Sequence, residues 1–334
     1  MLKTIKAHDL KIGMYVILSQ EWFDHPFLKN QFKIKSQKQI NKIIDYGIVN
    51  VLIDTDKRSQ TVEKVETTRE TDLSMQTPEK WEPEKLVPEE FTNVIKDKSL
   101  PPEKRAKAVY KLSVGIMDKL LSSPTAQYIE EFKKGIADMV DLIIVDDETS
   151  NYLLNITSHD FYTYTHSVNV GVYSILLSKA LFKNSTLHNM RELGAGFFLH
   201  DIGKVNVSPA IINKQGKLND NEMREMRTHP FQGRKILTEA KQLSEECKII
   251  VMQHHERYDG TGYPQGLKGD DIHHYGRICS IADVFDALTS ERPYKTKLNP
   301  FAALKLMKEE MVNHFQKEPF ETFVLLFKPT SGDS

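Results

Sequence analysis

The sequence has only two cysteines, Cys247 and Cys279, in 334 residues. That is too few for a disulfide scaffold and fits a reducing cytoplasm. No apolar run approaches the ~18 residues of a membrane helix, which predicts no membrane insertion. The first residues, Met1-Leu2-Lys3-Thr4-Ile5-Lys6, lack the apolar centre of a secretory signal, so the expected location is cytoplasmic. Net charge is almost absent: 45 basic against 46 acidic residues, formally −1. This argues against bulk electrostatic binding to a nucleic-acid polymer. What is present is ordinary globular material, 40% hydrophobic and 27% charged, enough to fill at least one substantial core. At roughly 150 residues per domain the length predicts about two domains.

Residues 1–60 read as a small α+β unit. The β-branched runs at 12–18 and 48–53 predict strands. Between them, Ser36 is placed to cap a helix carrying Ile40, Ile43 and Ile44 on one face, with Gly47 as its stop. Composition shifts near residue 60. Residues 61–90 hold nine acids and four bases, interrupted by Pro78, Pro83 and Pro88, and 61–98 reads as an acidic linker. Beyond Pro101-Pro102 the period becomes helical. Ala106, Val109, Tyr110, Ile116, Met117, Leu120 and Leu121 form one stripe; Ile129, Phe132, Ile136, Met139, Val140 and Ile143 form the next. Residues 99–144 are thus a helical connecting segment and 145–334 the principal domain. The predicted fold class is mainly α, an all-α bundle preceded by the small α+β unit.

Chemistry concentrates in the second part, where nine of the 12 histidines lie between 159 and 274. His166 sits in a helical segment. His200-Asp201 ends the apolar run Gly196-Phe197-Phe198-Leu199. His229 precedes Pro230, His254-His255-Glu256 ends another helix, and Asp283 interrupts an apolar helix at 281–287. An aspartate on an apolar face is costly unless paired or metal-bound. Taken singly, each histidine reads as well as a hydrogen-bonded core residue, and Asp283 as the partner of an arginine. Taken together, these side chains on the inward faces of different helices could hold two metal ions bridged by one carboxylate. Metal pairs ~3.5–4 Å apart suit phosphate-ester hydrolysis.

The segment after the histidine pair, Arg257-Tyr258-Asp259-Gly260-Thr261-Gly262-Tyr263-Pro264, specifies a tight, shaped loop. With His254-His255-Glu256 it closely resembles the signature of the HD-GYP family. The remaining motifs agree in order: Tyr162-Thr163-Tyr164 before His166-Ser167, then His200-Asp201-Ile202-Gly203-Lys204, His229-Pro230, Ile281-Ala282-Asp283-Val284-Phe285-Asp286, and Arg292-Pro293-Tyr294-Lys295. The resemblance spans roughly residues 145–320. A weaker one covers the first 56 residues. There, Leu10-Lys11-Ile12-Gly13-Met14-Tyr15-Val16, Trp22, His25-Pro26-Phe27 and Ile53-Asp54-Thr55 look like an uncharacterised domain found ahead of bacterial HD-GYP domains, for which a regulatory or interaction role is expected.

HD-GYP proteins are mostly phosphodiesterases that linearise cyclic di-GMP to pGpG and often continue to GMP. The resemblance implies that activity here. One metal would be held by His166, His200, Asp201 and Asp283, the other by Asp201, His229, His254 and His255. Iron or manganese is the expected pair, with Asp201 bridging in the catalytic centre. Lys204, one helical turn from Asp201, resembles the family lysine that contacts phosphate and protonates the leaving oxygen. Arg292, Lys295 and Tyr263 match substrate-facing positions. Asp286, three residues beyond Asp283, would orient Lys204 or a ligand from behind. Members with a third metal carry a glutamate just before the first histidine; here Phe161 and Tyr162 stand there, so two metals are expected. The family can also form homodimers and contact diguanylate cyclases. Two other readings use the same residues: a hydrolase of another cyclic dinucleotide such as cyclic GMP-AMP, and a dinucleotide receptor without turnover.

Overall fold

The computed structural model describes residues 2–17, 31–45, 50–54, 85–156, 163–183, 185–290 and 297–328. The chain divides into two compact units, 1–80 and 81–334. The first holds β1 (Leu2–Lys6), β2 (Tyr15–Ile17), β3 (Gln31–Lys33), α1 (Gln37–Asp45) and β4 (Asn50–Asp54). Its antiparallel sheet has the order β1-β4-β2-β3. Alternation in β4 buries Val51 and Ile53, and with Val16, Ile40 and Ile43 they form the small core. Ile44 departs from the expected helix face: it is 40% exposed while Ile40 and Ile43 are buried, so the sheet covers only part of the apolar stripe of α1. β1 and β3 are additional to the two expected strands. Trp22 and His25-Pro26-Phe27 lie outside the described residues.

The second unit is helical: α2 (Glu89–Lys96), α3 (Pro102–Ser122), α4 (Ala126–Val145), α5 (Asp147–Ile156), α6 (Thr163–Phe182), α7 (Met190–Leu199), α8 (Pro209–Ile212), α9 (Asp220–Met226), α10 (His229–Glu239), α11 (Glu245–Gln253), α12 (His274–Thr289), α13 (Pro300–Glu310) and α14 (Lys317–Leu325). A 3₁₀ turn, Ile202–Asn206, joins α7 to α8. Caps written in the sequence set several helix starts: the side chains of Thr125, Asn189, Asn219, Ser244 and Asn299 accept backbone N–H bonds. α6 is the central element. Residues 165–178 are buried on every side, and α3, α7, α12 and α14 pack around it. Among the described residues no helix is long and apolar enough to cross a membrane.

The expected linker is too long at its C-terminal end. Leu86, Phe91 and Ile95 are buried in the core of the helical unit, and the Leu86 N–H donates to Glu131 of α4 at 2.7 Å. Acidity and prolines concealed an amphipathic helix whose N-cap is Pro88. Likewise, 99–144 does not merely connect: α3 and α4 share one core with the histidine-bearing helices. Each of the three α2-region side chains contributes about 1.5–3 kcal/mol by burial. A chain starting at Trp81 should therefore melt as a cooperative helical domain. One starting at Ser99 should melt on the order of 10 °C lower, as followed by circular dichroism.

Candidate metal centre

The side chains of His166, His200, Asp201, His229, His254, His255 and Asp283 converge in the helical unit, where the start of α6, the 3₁₀ turn, the ends of α7, α10 and α11 and the middle of α12 meet. Asp201 is at the middle and fully buried. Its Oδ2 lies 3.5 Å from His166 Nε2 and 3.4 Å from His200 Nε2. Its Oδ1 lies 3.3 Å from His229 Nε2 and 3.6 Å from His254 Nε2. One carboxylate thus divides two potential ligand groups, His166–His200–Asp201 and Asp201–His229–His254–His255, each within 4.8 Å of itself. Asp283 stands outside both compact groups and touches each: Oδ1 is 3.1 Å from His166 Nε2, and Oδ2 is 3.3 Å from His255 Nδ1.

Ring orientation follows from local backbone chemistry. The last carbonyls of a helix have no intrahelical partner. His200 Nδ1 meets Phe197 O at 2.8 Å, His229 Nδ1 meets Met226 O at 2.8 Å and His254 Nδ1 meets Val251 O at 3.0 Å. Those carbonyls belong to the last turns of α7, α9 and α11. Each therefore accepts the Nδ1 hydrogen of the ring three residues on, leaving a neutral imidazole with its Nε2 lone pair inward. The result is a set of acceptors facing acceptors. His229 Nε2 and His254 Nε2 stand 3.1 Å apart, and His200 Nε2 and Asp201 Oδ1 are buried without a hydrogen-bond partner. Lone pairs converging in this way fit a cation. His166 lies in the first turn of α6, and its Nδ1 donates to Asp286 Oδ2 at 2.7 Å.

The charge balance favours the ligand forms at most positions, with His166 the exception: burial opposes its protonation, but Asp201, Asp283 and Asp286 hold its imidazole well above the ordinary histidine range, so a bound cation there displaces a proton. Burial keeps His229 and His254 below the ordinary histidine range, despite the opposing pull of Asp201. Burial and the neighbouring His254 push His255 down to about 4. Burial alone would raise the Asp201 carboxyl, but Lys204, His200 and His166 hold it well below the usual range. Metal ligation requires neutral imidazoles and ionised carboxylates. Lys204 Nζ is in direct contact with Asp201 Oδ2, so it lies in the site. Asp286 accepts from His166, and no contact with Lys204 accompanies it. Tyr263 is stacked on His255, with ring centroids 4.6 Å apart, and lies 5.2 Å from the Arg227 guanidinium. Arg292 and Lys295 fall outside the described residues, as do Phe161 and Tyr162.

Two supporting features had no role assigned from the sequence. Glu256 is buried, and its carboxylate accepts from Gln265 N at 2.7 Å and Leu267 N at 3.0 Å. It thereby holds the Gly-Tyr-Pro loop against the histidine pair. Its place directly after His254-His255 was the available signal. Gly203 sets the distance between the 3₁₀ turn and α10: a Cβ there would lie 1.9 Å from His229 O and 2.4 Å from Gly233 N. Only a glycine permits this approach, which brings Asp201 to His229. Gly203→Ala should therefore separate the two ligand elements, lower thermal stability by about 3 kcal/mol or more and weaken metal retention. Gly115→Ala, on an exposed helix position with nothing within 4 Å, should be neutral or stabilising by about 0.5–1 kcal/mol. Calorimetry with metal analysis of both variants tests the contrast.

Comparison with known proteins agrees with this geometry. Residues 157–318 match the HD domain, and residues 2–127 match a domain of unknown function, DUF3391. The chain is 32% identical over 328 residues, 97% of its length and 76% of the relative's, to a protein of Pseudomonas aeruginosa named a cyclic di-GMP phosphodiesterase. It is 38% identical over 159 residues to a Vibrio cholerae protein named a 3'3'-cGAMP-specific phosphodiesterase, covering 48% of this chain and 34% of that one. Among solved structures, an HDG"Y"P protein from Bdellovibrio bacteriovorus has the same fold, with a TM-score of 0.61 at 17% identity over 97% of this chain and 98% of that one. An HD domain carrying the histidine–aspartate cluster and the Gly-Tyr-Pro loop, joined to the same N-terminal domain, places the chain in the HD-GYP cyclic di-GMP phosphodiesterase family.

Proposed function

We propose that the chain hydrolyses cyclic di-GMP to pGpG at a centre of two divalent ions, iron or manganese, with GMP as the product of any second cleavage. The observation that carries this reading is the division of Asp201: each carboxylate oxygen faces its own pair of inward Nε2 atoms. His166, His200, Asp201 and Asp283 would hold one ion, and Asp201, His229, His254 and His255 the other. Imidazole with carboxylate is a borderline donor set that suits first-row divalent metals. When bound, such a pair lowers the pKa of water and neutralises charge on a phosphate.

The protein's own groups do the rest. His229, His254 and His255, held below the ordinary histidine range by burial, present their lone pairs at neutral pH without first losing a proton. Lys204, already against Asp201, holds a positive charge beside the position a phosphate would take and donates the proton needed by the leaving 3′ oxygen. Tyr263, stacked on His255, walls the substrate side. By the family resemblance, Arg292 and Lys295 would supply bidentate and point-charge contacts to phosphate or guanine.

Product chromatography tests the proposal. Protein purified without chelator and loaded anaerobically with Fe(II) or Mn(II) should convert cyclic di-GMP to pGpG or GMP. His200→Ala combined with Asp201→Ala should abolish conversion and metal binding while leaving the helical signal. Lys204→Ala should slow turnover by about 10²–10⁴-fold with metal content kept. Product from cyclic GMP-AMP alone would overturn the substrate assignment. Verified loading at about two ions per chain, with dinucleotide bound but never cleaved, would make the protein a receptor.

A further inference from the structure

Three of the site's histidines are oriented by helix-end carbonyls, but His166 is not. Its Nδ1 donates to Asp286 Oδ2 at 2.7 Å, and Asp286 is held in turn. Asn169 Nδ2 donates to Asp286 Oδ1 at 2.7 Å, and Ser290 Oγ donates to Oδ2 at 3.1 Å. Behind Asn169 stands Tyr110 of α3, whose hydroxyl donates to Asn169 Oδ1 at 2.7 Å. All four of Tyr110, Asn169, Asp286 and His166 are buried. Tyr110 lies in the stretch that matches the N-terminal domain of unknown function, outside the matched HD domain.

The direction of these bonds matters. An asparagine amide has one accepting and one donating end, and rotation by half a turn exchanges them. With a hydroxyl donor on one side, the oxygen must face Tyr110, so the NH₂ must face Asp286. The reverse orientation would set an amide oxygen against a carboxylate and an NH₂ against an O–H donor. Asp286 thus accepts from Asn169, Ser290 and His166, which fixes the ring with Nδ1 toward Asp286 and Nε2 toward Asp201 and Asp283. Groups behind a ligating histidine tune affinity as well as geometry.

We infer that Tyr110 is a positioning residue for the metal centre: by fixing the amide of Asn169 it fixes Asp286, and through Asp286 the ring of His166. The inference rests on reading His166 as a metal ligand. It makes α3 a part of the active-site architecture, supplied from outside the HD domain.

The test is Mn(II) titration of the full chain, with free ion counted by its paramagnetic resonance signal. Tyr110→Phe keeps the ring and removes the donor. It should weaken one of the bound ions by about 3–10-fold, less than the 10–100-fold typical of losing a group that touches the ligand directly, and leave the other ion unchanged. In an Asn169→Ala background the same substitution should add nothing to the loss of metal affinity, because the inferred route from Tyr110 to His166 runs through that amide. Ser113→Ala is the packing control: it lies on the same helix, buried, with bonds to Val109 O and Met139 Sδ, and should leave both affinities unchanged. Wild-type affinity in Tyr110→Phe would overturn the inference, as would an equal loss with and without Asn169. An equal loss in Ser113→Ala would do the same by showing a packing effect. A wild-type chain that binds no Mn(II), Fe(II) or Zn(II) would instead remove the metal-centre reading, and this inference with it.

Discussion

The site depends on three backbone carbonyls. Phe197, Met226 and Val251 each lie in the final turn of a helix and each accept from a histidine three residues later. A helix end must place its unpaired carbonyls somewhere, and a buried imidazole must place two nitrogens. Joining the two needs solves half of each and leaves one nitrogen over. Pointing the remaining nitrogens at a single carboxylate concentrates lone pairs in a dry interior, an arrangement that is unfavourable until a cation is supplied. Stability and function are therefore in tension at this point, and the surrounding helices must hold the ligands in place.

The bundle does so with a rigid centre. α6 is buried on all sides, so His166 and Asn169 are fixed by packing as well as by hydrogen bonds. Gly203 lets the 3₁₀ turn approach α10 closely enough to bring Asp201 beside His229. Glu256 ties the following loop to the end of α11 through two N–H bonds, which sets Tyr263 over His255. Each fixes one ligand element relative to its neighbour.

The residues that cluster around Asp201 stood out in the sequence as a set, aspartates on apolar helices and histidines at helix ends, although each taken singly reads as well as a core residue; their convergence is what the fold adds. The stripes of α3 and α4 were legible because 3.6-residue periodicity survives over long helices. The end of the linker was not. Leu86, Phe91 and Ile95 are three apolar residues among acids and prolines, and only the groove that buries them shows their purpose. Ile44 was misplaced because periodicity gives a face and not the width of the sheet beneath it. Tyr110 was read as part of an apolar stripe, which it is. Its hydroxyl gains a meaning only when Asn169, brought by the fold, lies against it.

The N-terminal family match runs to residue 127, yet α2 and α3 are packed into the helical core. The unit inherited in common with other proteins and the unit that folds around one core are therefore not the same stretch of chain. A recombination event that moved this N-terminal domain to a new HD domain would carry α2 and α3 with it, and with them a wall of the recipient's core. Such an exchange succeeds only where the recipient presents a matching groove. The pairing of these two domains is accordingly constrained by packing, and they should diverge together rather than be traded freely.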